Sequence, residues 1–164
     1  MRKSVIYNQI LIVASLLLIT CKKEVKPIKE SSIQFQKEGE LTLYKKQDSI
    51  FSIIQKIDIE LAEDAYERQT GLMHRSEMGI NQGMLFIFEK EQPQNFYMKN
   101  TLIPLDLLFI NSQNQIVSFQ ENAKPLNEQS LPSNAPAQYV LEINGGLIDK
   151  WNVSVGDSIS FTKN

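Results

Sequence analysis

Two carboxylates set in apolar surroundings offer the clearest chemistry in this sequence. Asp106 lies inside Leu105-Asp106-Leu107-Leu108-Phe109-Ile110, and Glu142 inside Tyr139-Val140-Leu141-Glu142-Ile143. An isolated charge buried in such a run is very unfavourable, so each must be solvated at a rim, paired or hydrogen-bonded. Arg75 and Lys99 are the natural cationic partners, with Asn100 and Thr101 as neutral hydrogen-bonding groups. Two carboxyls flanking one pocket could act as general acid and base if their surroundings drove their pKa values apart. The same six residues could instead hold a ligand, with Arg75 gripping a carboxylate or phosphate bidentately. A third reading is structural: Asp106 and Glu142 anchor the loop from Tyr97 to Pro104 through Arg75 and backbone amides. Met73, Met84 and Met98 divide in the same way, between adaptable core filler and the lining of a cleft for apolar ligands.

Other chemistries find little support. His74 is the only histidine and Cys21 the only cysteine, which leaves no good Ser/His/Asp or Cys/His pair and too few ligands for zinc. No phosphate-cradling or dinucleotide-binding glycine pattern occurs, and no acidic run has calcium-loop spacing. Oxygen-only metal binding at Asp106 and Glu142 has nothing specific behind it. No cofactor is expected.

The lone cysteine has a different meaning. Arg2 and Lys3 precede an apolar run over residues 10–19 (ILIVASLLLI), which ends in Thr20 and Cys21. That is the pattern of a secretory signal, and the run is far short of the roughly 20 residues that span a bilayer. Leu18-Ile19-Thr20-Cys21 resembles the lipobox of bacterial lipoproteins, in which the cysteine sulfur receives a diacylglyceryl group before cleavage. Thr20 departs from the Gly, Ala or Ser usual before the cysteine. Several acyl chains of the palmitate kind hold a protein stably on a membrane. The expected organisation is a lipoprotein signal peptide over 1–20, lipidated Cys21 with a flexible tether over 21–32, and one β-rich domain over 33–164. The tether (KKEVKPIKE, then two serines) is rich in lysine and poor in packing residues.

Charge narrows the partners. The whole chain has 17 basic and 19 acidic residues, whereas residues 31–164 hold 11 and 17, a net of −6. A nucleic-acid partner is not expected, because affinity for a phosphate backbone rests on basic surface. The expected partners are a membrane, through the lipid anchor, and a small ligand or an envelope protein.

The elements that must position these residues have a period of two. Polar and apolar residues alternate over 56–61 and 158–162, and Leu41 and Leu43 follow Gly39 at the same spacing. Residues 84–88 (MLFIF) and 107–110 (LLFI) are continuous apolar runs, suited to strands covered on both faces. Asn111-Ser112-Gln113-Asn114 has turn composition between two strand patterns and predicts a hairpin. One stretch, residues 63–70, reads as a short helix with Asp64 as N-cap and Gly71 just beyond it. Residues 122–138, with three prolines and three asparagines, read as a long surface loop. Gly145-Gly146 ends the strand that begins at Tyr139.

Five separated blocks then agree with one family: Gly71-Leu72-Met73-His74-Arg75, Gly83-Met84-Leu85-Phe86-Ile87-Phe88, residues 96–106 (FYMKNTLIPLD), Tyr139-Val140-Leu141-Glu142 and Gly156-Asp157. The chain resembles domain-of-unknown-function family 192, small and mostly β, over about residues 54–162. The family usually has Trp where Tyr97 stands and an aromatic where His74 stands. The resemblance implies a mainly β fold, β-barrel-like or a strongly curved antiparallel sheet, with one short helix. It implies almost nothing about activity. The leading expectation is a non-enzymatic binding or accessory domain of the cell envelope, lipid-anchored to a membrane. The alternatives are a hydrolase using Asp106 and Glu142, and a purely structural envelope module.

Overall fold

The structure, a computed structural model, describes residues 33–47 and 50–164. The expected signal peptide over 1–20, and Cys21 with its tether over 21–32, lie outside the described residues. Seven strands and two short helices follow in the order β1 (Gly39–Gln47), β2 (Ile50–Ala62), α1 (Ala65–Thr70), β3 (Gln82–Phe96), β4 (Leu105–Ile110), β5 (Ile116–Ala123), β6 (Leu131–Asn144), α2 (Leu147–Trp151) and β7 (Ser158–Lys163).

All seven strands join one sheet in the order β5-β4-β6-β3-β2-β1-β7. The sheet curls until its two edge strands touch at one end. There Gln115 bridges Ser158, the Ile116 N–H donates to the Asp157 carbonyl at 2.8 Å, and the Ile159 N–H donates to the Asn114 carbonyl at 2.9 Å. The expected curved, mainly β fold is what the chain adopts. Every neighbouring pair is antiparallel except β2 and β3, which run parallel. A parallel pair cannot be joined by a tight turn, so the chain must cross over a face of the sheet between them. That crossover carries α1 and residues 71–81. The Asp64 carboxylate accepts from the Glu67 N–H at 2.8 Å and Glu67 returns the bond to the Asp64 N–H at 3.0 Å, a capping box that starts α1. Gly71 stops it with a positive φ of 44°.

Strand alternation divides the apolar residues between two faces. The first cluster takes Leu41, Leu43, Ile57, Ile59, Leu85, Leu108, Ile110, Ile116, Leu141, Ile143 and Ile159, from all seven strands, as the concave side of a curled sheet requires. The second, which includes Met84, Phe86, Leu105, Leu107, Phe109 and Val140, lies on the opposite face under Leu72 from the crossover and Met98 and Ile103 from the β3–β4 connection. Strand β4 feeds both clusters, which is why all six of its residues are buried.

Two expectations need correction. A second helix, α2, follows Gly146, whose φ of 84° turns the chain into it. Five residues are too few to show a helical period. The stretch over 122–138 is mostly strand, because β6 already begins at Leu131. Pro132 and Pro136 are tolerated there because β4 pairs only with residues 139–144 of β6, which leaves the earlier half an edge facing β3 alone. Among the described residues no helix is long and apolar enough to cross a membrane.

Candidate functional site

The register places the two carboxylates that opened the sequence on opposite faces. Asp106 of β4 stands opposite Ile143 of β6, and Leu107 stands opposite Glu142. Cross-strand partners share a face and successive residues alternate. Asp106 therefore points to the concave side with Ile143, and Glu142 to the covered outer side with Leu107. They cannot converge on one substrate as acid and base, nor share a metal ion, so the expected Asp106/Glu142 pairing is set aside.

Asp106 is fully buried and fully satisfied. One oxygen accepts from the Asn122 N–H and the other from the Ile148 N–H, each at 2.8 Å. It ties the start of α2 and the end of β5 to the middle of the sheet, a structural role through backbone amides alone, without Arg75 and away from the expected loop from Tyr97 to Pro104.

Arg75 goes instead to Glu60, a residue that no local pattern singles out. Arg75 Nη2 lies 2.7 Å from Glu60 Oε2, and both side chains are buried. The contact is ionic without hydrogen-bond alignment, and Arg75 Nε has no partner among the described residues. Glu60 Oε1 also accepts the Gln36 N–H at 2.9 Å. Alternation over 56–61 had put Glu60 on a solvated side. The crossover covers that side, and Arg75, brought down with Leu72, is the cation that makes its burial tolerable.

Glu60, Met84, Glu142 and Leu107 form one row across β2, β3, β6 and β4 on the covered face. Two strand spacings of roughly 4.8 Å put Glu60 and Glu142 about 10 Å apart at the backbone. Their environments differ sharply. Glu142 is 5% exposed and makes no hydrogen bond or ion pair with any described residue. Burial alone pushes its carboxyl from the ordinary 4.5 up to about 8, so it is protonated at neutral pH.

Glu142 faces a cavity of about 150 Å³ walled by Phe86, Phe88 and Phe96 of β3, by Tyr97 and Thr101 of the β3–β4 connection, and by Gly71 and Met73 of the crossover. Phe96 makes edge-to-face contacts with Phe86, Phe88 and Phe109 at centroid separations of 5.1, 6.4 and 6.1 Å, which fixes the aromatic wall. Gly71 is required where it stands: its φ is positive, and a Cβ there would lie 2.8 Å from the Phe86 ring. Gln94 is buried at the same wall and donates through Nε2 to the Ala137 carbonyl at 3.1 Å.

Of the six expected site residues, Thr101 and Glu142 meet at this cavity. Arg75 lines a neighbouring cleft of about 450 Å³ on the other side of Gly71 and Met73. Asn100 holds the cover together: its carbonyl accepts the His74 N–H at 2.8 Å, and its amide reaches Met73 Sδ at 3.9 Å. Lys99 is exposed and 3.8 Å from Glu128, too far out to serve either carboxylate. Met84 and Met98 are core filler, whereas Met73 lines the cavity. The aromatic wall is not among the site residues expected from the sequence, although Phe86, Phe88, Phe96 and Tyr97 all stand in the family blocks quoted above.

The model of domain-of-unknown-function family 192, described as "Uncharacterized ACR", covers residues 46–161. The chain belongs to this family. Among solved structures, a proposed transcription regulator from Sinorhizobium meliloti 1021 is similar at 36% identity and a TM-score of 0.70, over 78% of this chain and 97% of that one. A protein of unknown function from Novosphingobium aromaticivorans DSM 12444 is similar at 34% identity and a TM-score of 0.67, over 74% of this chain and 83% of that one. No curated protein matches the sequence. The cavity blocks of the sequence, 71–75, 83–88 and 96–106, all fall inside the matched family region.

Proposed function

We propose that this member of family 192 is a lipid-anchored domain of the cell envelope, held to a membrane through Cys21, that binds a small molecule in the Glu142 cavity without transforming it. One observation carries the binding reading: a buried carboxyl with no partner among the described residues faces a small preformed cavity with an aromatic wall. Such a group is unfavourable for folding and gains a partner when a guest enters the cavity. The separation of Asp106 from Glu142 removes the two-carboxylate hydrolase, and Asp106, Arg75 and Glu60 serve the scaffold. The proposed regulator role of the Sinorhizobium protein does not extend to DNA binding by this chain, because a net charge of −6 over residues 31–164 opposes a phosphate backbone.

Native mass spectrometry of the protein extracted from the membranes of its producing cells tests the binding. The expected result is a retained small mass that Glu142→Leu loses; a chain that retains nothing and responds to no small-molecule panel overturns the reading. The anchor has its own test, in which Cys21→Ser releases the protein from the membrane fraction. An unchanged membrane fraction contradicts it.

A further inference from the structure

The cavity selects by charge as well as by size. A volume of about 150 Å³ accommodates one guest of roughly benzene's dimensions. Its walls are rich in ring surface, and aromatic faces attract cations. Phe88 already demonstrates this, since the Arg68 guanidinium lies 5.5 Å from its ring centroid. Arg68 is the one cation of the protein on the cavity wall among the described residues, and it is committed elsewhere. Its Nη1 donates to the Ile87 carbonyl at 3.1 Å and to the Glu63 carbonyl.

The groups facing Glu142 from the packed elements are otherwise neutral: Met84 on β3, Leu107 on β4, Thr101 and the Tyr97 phenol from the connection above. Glu60, further along the same row, is already met by Arg75. An anionic guest would be opposed by the domain's net charge of −6 and would keep Glu142 from ionising. A cation is drawn in by that same field and supplies the counter-ion that lets Glu142 ionise inside the cavity.

Resting on the reading of this cavity as a ligand site, we infer that its guest is a small organic primary ammonium ion, with the Glu142 carboxylate as counter-ion and the Phe86, Phe96 and Tyr97 rings around its apolar body. The proton balance follows. Glu142 enters the reaction as the neutral acid, because burial holds its carboxyl at about 8. The ammonium ion keeps its own protons and the carboxyl releases one to solvent, which leaves a neutral ion pair in the cavity. Below pH 8 the apparent affinity therefore rises about tenfold per pH unit, levels off, and falls again once the alkylammonium deprotonates near roughly 10.

Isothermal titration of the detergent-solubilised full-length protein with cyclohexylamine, cyclohexanol and cyclohexanecarboxylate tests the inference. At pH 8 the amine should bind at least tenfold more tightly than the alcohol, and the carboxylate should not bind. At pH 6.5 the heats in phosphate and in an amine buffer should differ by the ionisation heat of close to one proton released per amine bound. That reading needs no variant. Glu142→Gln should lose the amine's advantage and its pH slope while still binding the alcohol. If the alcohol binds as tightly as the amine, or no proton is released, the ammonium class is wrong and the cavity remains a ligand site. If none of the three binds to the folded protein, the inference and the reading beneath it both fail.

Discussion

Asp106 and Glu142 sit on adjacent strands, offset by a single residue of register, yet they live under opposite conditions. Asp106, on the concave face, has each oxygen bound by a backbone N–H at 2.8 Å. Glu142, on the covered face, has neither a hydrogen bond nor a charge partner among the described residues, and its carboxyl is pushed up to about 8. Burial is nearly the same for both, and the difference between them is the supply of hydrogen-bond donors. On the concave face, α2 begins with free N–H groups that need an acceptor, and Asp106 meets that need. On the covered face, rings, a thioether and a hydroxyl surround Glu142, and the two cations of the crossover are engaged elsewhere, Arg75 with Glu60 and Arg68 with the Ile87 and Glu63 carbonyls.

The largest test of this contrast is in the pH dependence of stability. Glu142 is neutral in the folded chain up to about pH 8 and ionises near 4.5 when unfolded, so the pH-dependent cost of its burial is absent below pH 4.5 and grows steadily as pH rises to 8. Denaturant unfolding of Glu142→Gln should match the parent at pH 4 and exceed it by about 4 to 5 kcal/mol at pH 8.5. A constant difference across that range would mean that Glu142 is not held neutral.

Removing a charge from the paired site on the same face should hurt at neutral pH. Arg75→Ala leaves Glu60 buried without its cation and should cost about 3 to 5 kcal/mol, read from the urea midpoint. The double change Glu60→Gln with Arg75→Met should recover much of that loss. If Arg75→Ala is neutral, the pair is more open to water than its burial indicates.

On the concave face, Asp106→Ala strands the N–H groups of Asn122 and Ile148 and should cost about 2 to 3 kcal/mol, with faster amide exchange at those two positions. Guest binding in the Glu142 cavity should be unchanged, because the sheet separates the two. A loss of binding without loss of fold would break the two-face account. The smallest effect is expected at Gly71→Ala, about 1 to 2 kcal/mol, since the residue needs a positive φ and its new Cβ would press the Phe86 ring. Unlike Asp106→Ala, it should weaken guest binding by narrowing the cavity.

Local features of the fold could be read directly from the chain. Alternation over 56–61 and 158–162, the runs at 84–88 and 107–110, the Asp64 cap and the Asn111 hairpin each depend on a few neighbouring residues, and each stands where expected. The misses share a cause, which is dependence on distant partners. Glu60 looked solvated until a crossover from later in the chain covered it. Pro132 and Pro136 looked like loop residues because an edge that tolerates proline is defined by where β4 stops pairing. The face on which Glu142 lies relative to Asp106 is a matter of register between strands 36 positions apart in sequence, and no local pattern carries it. Thr101 and Glu142 were identified as site residues from their types, but the rings that complete the cavity passed as ordinary core.

The most direct test of the central claim is a carbon-13 NMR titration of the side-chain carboxyls, with Glu142 assigned by its disappearance in Glu142→Gln. The account predicts that the Glu142 resonance moves with a midpoint of about 8 in the guest-free protein. A midpoint in the ordinary range near 4.5 would show that the carboxyl has a partner or free access to water, and would contradict the account.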